Sequence, residues 1–280
     1  MSNFLPPAEL AKAFVGVSKA KAGKGALQLL LLGILAGVFI GFAAHLATTV
    51  ATGNWVVFGL KKFFIGAVFS VGLMLVIIPG SELWTGNNLM FVGLLNKDIS
   101  LGQLLRNWGL VFVGNFIGSI MLAWFVAKMS GLTGGAVGGT AINIAYGKIA
   151  TTVTDGASHN VMYFFRAIGC NWLVCLAVMM AVAAEDIGGK VLAIFFPIMA
   201  FVTSGFEHVI ANMYFIPAGI FSKSYSGAVA ASGKSLETLS ALNWGSMWTD
   251  NLLIVTLGNF VGGAIFTAAV YWWLFVRDTK

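Results

Sequence analysis

Two residues able to handle a proton or a strong hydrogen bond stand inside long apolar runs of this chain. Thr85 lies in Glu82-Leu83-Trp84-Thr85-Gly86-Asn87, and His208 in Glu207-His208-Val209-Ile210-Ala211-Asn212. A cation at the centre of a membrane span costs about 2.5 kcal/mol or more. An imidazole nevertheless changes charge around neutrality, with an unperturbed pKa of about 6.5. A threonine hydroxyl can donate to an anion or accept from an imidazolium, which an aliphatic side chain cannot do. The plain alternatives are a neutral histidine hydrogen-bonded between helices and a threonine capping a helix. The position of His208 in a helix break, in register with Thr85, favours a functional reading for both.

In each block the glutamate is followed five residues later by an asparagine, and each block interrupts an apolar segment. Glu82 and Glu207 read as acceptors for backbone N–H groups that the breaks expose, and Asn87 and Asn212 as doing similar work. His45 and His159 read as structural. A second echo follows the first: Asn107 through Gly118 matches Asn251 through Gly262 at a constant offset of 144 residues. Asn115 and Asn259 occupy equivalent places in it. Hydrogen bonding between helices is their default role, worth about 0.6 kcal/mol on average, and Asn259 can also face a pathway. Two related membrane halves, each with a polar break, point to a transport route at the repeat interface.

The elements that must position these residues are membrane helices. Hydrophobic residues make up 59% of the chain and charged residues 9%, against about 25% charged in soluble domains. Apolar runs long enough to cross a hydrocarbon core recur six times, at about 26–51, 62–82, 105–127, 161–184, 189–222 (broken) and 250–275. This predicts an all-α integral membrane domain over 26–276 behind an N-terminal segment 1–25. Two three-helix repeats are expected at about 26–128 and 160–276, the second and fifth helices being broken. Residues 1–25 carry Lys12, Lys19, Lys21 and Lys24 and no apolar core, so they are not read as a cleaved signal.

The net charge of +6 fits basic loops facing anionic headgroups better than nucleic-acid binding. A cytoplasmic N-terminus leaves nine basic residues inside and seven outside, with both termini on the cytoplasmic side of the inner membrane. Pro79-Gly80 should end the first half of the second span, with Ser81 to Asn88 non-helical and Leu89 to Leu95 resuming a half-helix. Thr203-Ser204-Gly205 loosens the fifth. Half-helices of this kind can aim backbone N–H groups at an anion. Gly114/Gly118 and Gly258/Gly262 are small-residue faces for helix packing. Cys170 and Cys175 read as small buried hydrophobes. The stretches 130–160 and 223–249 show no chemistry of their own. Phe69 and Phe201, one in each half and each ahead of its break, are candidates for pore constrictions.

At these residues the sequence resembles the formate/nitrite transporter family. The matching blocks are Gly80-Ser-Glu-Leu-Trp-Thr-Gly-Asn-Asn88, Cys170-Asn-Trp-Leu-Val-Cys-Leu-Ala177, Ser204-Gly-Phe-Glu-His-Val-Ile-Ala-Asn-Met213 and Thr256-Leu-Gly-Asn-Phe-Val-Gly-Gly263. The likeness runs over nearly the whole chain. It implies a homopentamer of six-span protomers, each with an aquaporin-like fold and its own pore, and with no cofactor or metal. It places Thr85, His208 and Asn259 in the substrate pathway. It also puts Leu73 and Leu83 at a cytoplasmic constriction and Phe69 and Phe201 at a periplasmic one. Trp84 replaces a phenylalanine common in the first break and is expected to narrow or reshape the cytoplasmic slit. The family's lysine near the outer mouth usually falls where this chain has Asp155; Lys148, in Ala145-Tyr-Gly-Lys148, fits the local pattern if residues are inserted after it.

The expected function is passage of small monovalent anions of weak acids: formate, nitrite or hydrosulfide. A bare anion would lose its water at apolar constrictions with nothing to replace it. Protonation assisted by His208 and Thr85 would let the neutral acid cross, so the expected partners are such an anion, a proton and the bilayer. An aquaporin-like solute channel would want Asn-Pro-Ala at both half-helices, and none occurs. An intramembrane protease of the type suggested by His208-x3-Asn212 also needs a Glu-Glu pair or an activated serine, and there is no Glu-Glu.

Overall fold

The structure, a computed structural model, describes residues 4–150 and 159–279; Asp155 lies outside them. Chain order is α1 (Pro7–Ala22), α2 (Ala26–Ala51), α3 (Phe58–Ile77), α4 (84–95), α5 (Leu101–Met129), α6 (Ala136–Ile149), α7 (His159–Ala183), α8 (Ile187–Ser204), α9 (Val209–Ser222), α10 (Ser226–Ser232), α11 (Leu236–Ser240) and α12 (Trp244–Phe275). The six long apolar helices α2, α3, α5, α7, α8 and α12 are each sufficient to cross a bilayer. α2 shows how: Leu27, Leu31, Leu35, Phe42 and Leu46 face outward, while Gly33, Ala36, Gly37, Ile40 and Gly41 are buried. A helix apolar all round with its small residues turned inward suits lipid on one side and close helix contact on the other.

The small residues pack within the protomer. A Cβ on Gly118 would lie 2.0 Å from the Ile34 carbonyl oxygen, and one on Gly114 2.6 Å from that of Leu30, so α5 touches α2 backbone to backbone. In the second half, Gly258 and Gly262 press on Phe164 and Ile168 of α7 at 2.4 and 2.3 Å by the same measure. These faces therefore say nothing about assembly between copies.

Both broken spans stop by the same means. Gly80 has φ +93° just after Pro79, and Gly205, which ends α8, has φ +80°. The left-handed region costs glycine nothing and other residues about 1–2 kcal/mol. The first break, in the second span, is shorter than expected from sequence. The helix resumes at Trp84 rather than Leu89, because the polar residues Thr85, Asn87 and Asn88 are buried inside the protein and face no lipid.

Each half is also entered by a short helix, α1 or α6. The 130–160 stretch thus contains a structural element, with Lys148 in its last turn just as Lys21 sits in the last turn of α1. α1 lies at one mouth of the protomer, beside Leu73, Leu83 and Asn87, and α6 at the other, beside Phe201 and His208. The two halves are therefore inverted relative to each other.

Candidate functional site

The site grows out of the two helix starts. Leu83 (φ −107°, ψ 123°) and His208 (φ −110°, ψ 116°) are the cap residues preceding α4 and α9, with nearly the same backbone. The next amide in each case donates to a buried asparagine of the following long helix. Trp84 N–H donates to Asn115 Oδ1 and Val209 N–H to Asn259 Oδ1, both at 2.9 Å. The same asparagines donate their Nδ2 hydrogens to backbone carbonyls: Asn115 to Gly33 (2.8 Å) and Glu82 (2.9 Å), Asn259 to Ala167 (2.8 Å) and Glu207 (2.9 Å). Groups that a broken helix leaves without partners must be met inside the protein. One asparagine per half meets them.

The register of the halves follows from these bonds and differs from the sequence expectation. His208 corresponds to Leu83, not to Thr85, because both directly follow the glutamate and both cap a half-helix. Thr85 sits two residues further into α4, yet its Oγ1 lies 2.9 Å from His208 Nε2. The inverted halves meet at the centre, so residues at unequal positions come into contact.

The protonation pattern of that contact can be read from the partners. Ala211 N–H donates to His208 Nδ1 at 3.0 Å, so Nδ1 carries a lone pair. A neutral imidazole then bears its hydrogen on Nε2, and Nε2–H donates to Thr85 Oγ1. The threonine hydroxyl hydrogen is left free to donate elsewhere. The Thr85 carbonyl is taken by Asn171 Nδ2 (3.3 Å) and the Cys175 thiol (3.5 Å). His208 is 4% exposed and Thr85 fully buried.

Against His208 a cavity of about 10 Å³ is lined by Phe69 and Phe201 toward one mouth and by Leu73 and Leu83 toward the other, with Thr85 outside the lining. That is room for about one water. The rings of Phe69 and Phe201 meet edge to face at 5.9 Å between centroids, and Phe201 lies 6.0 Å from the His208 ring. Beyond the phenylalanines a vestibule of about 1010 Å³ opens, lined by Lys148, Glu207 and one edge of His208 among others. Beyond the leucines a recess of about 110 Å³ is closed by α1 through Phe14, Val17 and Lys21. Vestibule, phenylalanine pair, central cavity, leucine pair and recess follow one another through the protomer.

A charged cluster flanks each break. Lys21 Nζ donates to Glu82 Oε2 (2.7 Å) and Asn87 Oδ1 (2.9 Å), and Asn87 Nδ2 donates to Glu82 (2.7 Å) and Asn107 (2.8 Å). In the other half Lys148 Nζ donates to Glu207 Oε2 (2.8 Å), and Asn212 Nδ2 donates to Glu207 (2.7 Å) and Asn251 (2.7 Å). Each buried carboxylate is thus paired and hydrogen-bonded, as a charge away from water must be.

Two further expected pathway residues lie outside the lining. Asn259 is fully buried behind the second break, with its side-chain groups and its carbonyl all engaged. It lines neither the vestibule nor the central cavity. Trp84 packs against Trp108 and Phe112 and lines neither the recess nor the central cavity. Its ring turns toward α5, which is where the Trp84 amide is also held.

Lys21, Asn107, Asn171 and Asn251 belong to the site and were not singled out from sequence. Asn107 and Asn251 stand at the head of the 144-residue echo, and Asn171 inside the Cys-Asn-Trp block, so a signal existed for three. Asn171 also donates to the carbonyl of Asn259 at 2.7 Å, joining the two breaks. His159 is spent on the Asp250 carbonyl at 2.7 Å.

The sequence pattern of the formate/nitrite transporter family matches residues 8–273. A probable formate transporter of Methanothermobacter thermautotrophicus is 41% identical, over 99% of this chain and 99% of its own. Among solved structures, an ion channel of the FNT family superposes with a TM-score of 0.79 at 28% identity, covering 94% of this chain and 98% of the other. A pentameric formate channel with formate bound gives 0.78 at 36% identity, covering 89% and 97%.

Proposed function

This chain belongs to the formate/nitrite transporter family, and we propose that each protomer passes small monovalent anions of weak acids, formate foremost, with Thr85 and His208 at the selective step. The observation that carries this reading is the small cavity of about 10 Å³ lined by His208, which is bonded to Thr85, and by the apolar side chains of Phe69, Phe201, Leu73 and Leu83. Phe69 and Phe201 form the gate facing the vestibule, and Leu73 and Leu83 the gate facing α1. Relatives named as formate transporters and channels support formate as substrate, and nitrite and hydrosulfide, similar in size and charge, suit the same lining.

Electrostatics favour passage as the neutral acid. An anion reaching the phenylalanine gate exchanges water for hydrocarbon and hydrogen-bonds to nothing there. The basic lining of the vestibule draws the anion in, and the falling polarity beyond it raises the anion's basicity until it takes a proton. Inside, the Thr85 hydroxyl, its oxygen already accepting from His208 Nε2–H, donates to the solute. In the neutral ring His208 sets the orientation of that hydroxyl. To supply a proton itself it must first become an imidazolium, in which both nitrogens are donors, so it would have to release the Ala211 amide.

The protomers assemble as homopentamers in the inner membrane, both termini cytoplasmic, so α1 closes the cytoplasmic recess and the vestibule faces the periplasm. Liposomes holding the purified protein and assayed for formate, nitrite and hydrosulfide flux test the reading. Proton-linked flux of none of the three would end it.

A further inference from the structure

The vestibule carries more positive charge than the Lys148–Glu207 pair explains. Its lining includes Lys61, Lys62, Lys148 and Arg166 against the single carboxylate of Glu207. Lys148 is neutralised by Glu207 at 2.8 Å. Among the described residues neither Lys62 nor Arg166 forms an ion pair with a carboxylate, whereas four such pairs form outside the vestibule.

Both cations are fastened to the second break through their backbones. The Thr203 hydroxyl donates to the Lys62 carbonyl (3.2 Å), and the Glu207 amide donates to the Arg166 carbonyl (3.3 Å). The Lys62 ammonium reaches back to within 3.7 Å of the Cβ position of Gly205, in the same break. Lys148, Glu207 and Arg166 are the charges near enough to act on Lys62. Two helices, α3 and α7, thus bring a lysine and an arginine to the lining of one vestibule, which Phe69 and Phe201 also line.

The inverted half supplies an internal control. There the amide of Glu82 donates to the carbonyl of Leu32 at 3.2 Å, so Leu32 holds the place of Arg166. The basic residue near the start of α8, Lys190, is consumed by the Ala181 (2.6 Å) and Ala184 (2.8 Å) carbonyls. The packing of a break is therefore satisfied by leucine, and the guanidinium of Arg166 is surplus to the fold. Arg166 also rests over the Tyr163 ring at 5.6 Å, which leaves its in-plane N–H donors open.

We propose that Lys62 and Arg166 form an anion-binding station in the vestibule, separate from Lys148, that holds a carboxylate before the Phe69–Phe201 gate. This deepens the anion-pathway reading and rests on it. Two cations in one vestibule, without an ion-pair partner among the described residues, suit a small dicarboxylate at least as well as a monocarboxylate. A dicarboxylate carries a second charge and is too bulky for the gate, so it occupies the station and blocks it.

Malonate is the probe, present on both faces of liposomes during formate flux and, separately, added to the detergent-solubilised protein during thermal unfolding. Wild type should be inhibited competitively and stabilised. In Lys62→Gln/Arg166→Leu both effects should vanish and the half-saturating formate concentration should rise about tenfold at low salt, with the difference shrinking at high salt. Arg166→Lys, which keeps a cation, should keep the block. The station is overturned if malonate neither inhibits nor stabilises wild type, if the double variant is still blocked, or if its loss of flux lies in the maximal rate alone. A wild type that carries no formate counts against the pathway, while malonate stabilisation still decides the station.

Discussion

At the scale of single residues, His208 does two jobs that one substitution can separate. Its Nδ1 caps α9 by accepting from Ala211 N–H, and its Nε2–H orients Thr85. His208→Phe removes both, and the lost cap alone costs about 1 kcal/mol. His208→Asn retains a capping oxygen and removes the imidazole. We expect His208→Asn to melt close to wild type and His208→Phe lower, with proton-linked flux altered in both; equal melting would refute the capping role. Wild-type flux should rise as pH falls, since the neutral fraction of the permeating acid grows, and the variants must be compared at each pH to isolate the imidazole. Thr85→Val removes the hydroxyl bonded to the ring and should slow the same step, the double variant being less than additive. Asn259 acts differently. Asn259→Leu strands Val209 N–H and the Ala167 and Glu207 carbonyls, at about 1–3 kcal/mol for each buried group left unmet. It should abolish recovery of folded protein rather than change selectivity. A folded Asn259→Leu channel with altered anion preference would return Asn259 to the pathway.

The elements are positioned by backbone contact, so their glycines tolerate little. Gly118→Ala would drive a methyl group to 2.0 Å from the Ile34 carbonyl oxygen, and Gly262→Ala one to 2.3 Å from that of Ile168. Overpacking of this kind costs about 1–3 kcal/mol or more, and thermal melts of the two variants should fall by comparable amounts because they stand at equivalent places. Gly16→Ala, on α1 with nothing within 4 Å of its Cβ, should be neutral or slightly stabilising. α1 itself is tied down at both ends. Leu5 N–H donates to the Ala183 carbonyl at 3.0 Å, and Lys21 is bonded to Glu82 and Asn87.

For the whole molecule, the prediction is a pentamer with five separate pores. Glycine faces do not argue for it, since Gly114, Gly118, Gly258 and Gly262 are packed inside the protomer. The support is the family and the pentameric solved relative, together with outward apolar surface on Trp55, Val56, Val57 and Phe58 beyond the end of α2. Native mass spectrometry in detergent should give five copies, and a stable monomer or tetramer would refute it. Each protomer already encloses its own cavity and vestibule, so flux per protomer should not depend on a central opening between copies.

Six spans, two broken helices and a duplicated plan were legible in the chain because each has a local signature. Twenty apolar residues, a Pro-Gly pair, and an echo at constant offset need no partner to be recognised. The residues that touch across the repeat interface had no such signature. Thr85 and His208 were picked out as polar residues in apolar runs, but their pairing by equal register was mistaken, since inversion of one half brings unequal positions together. Lys21 looked like one more charge in a basic tail until α1 folded beneath Glu82. Asn259 looked like a pathway residue until three buried backbone groups claimed its side chain. Periodicity and composition determine which segments must leave water. Which buried polar atoms face the solute, and which are consumed by the broken backbone, was decided only when the two halves closed on each other.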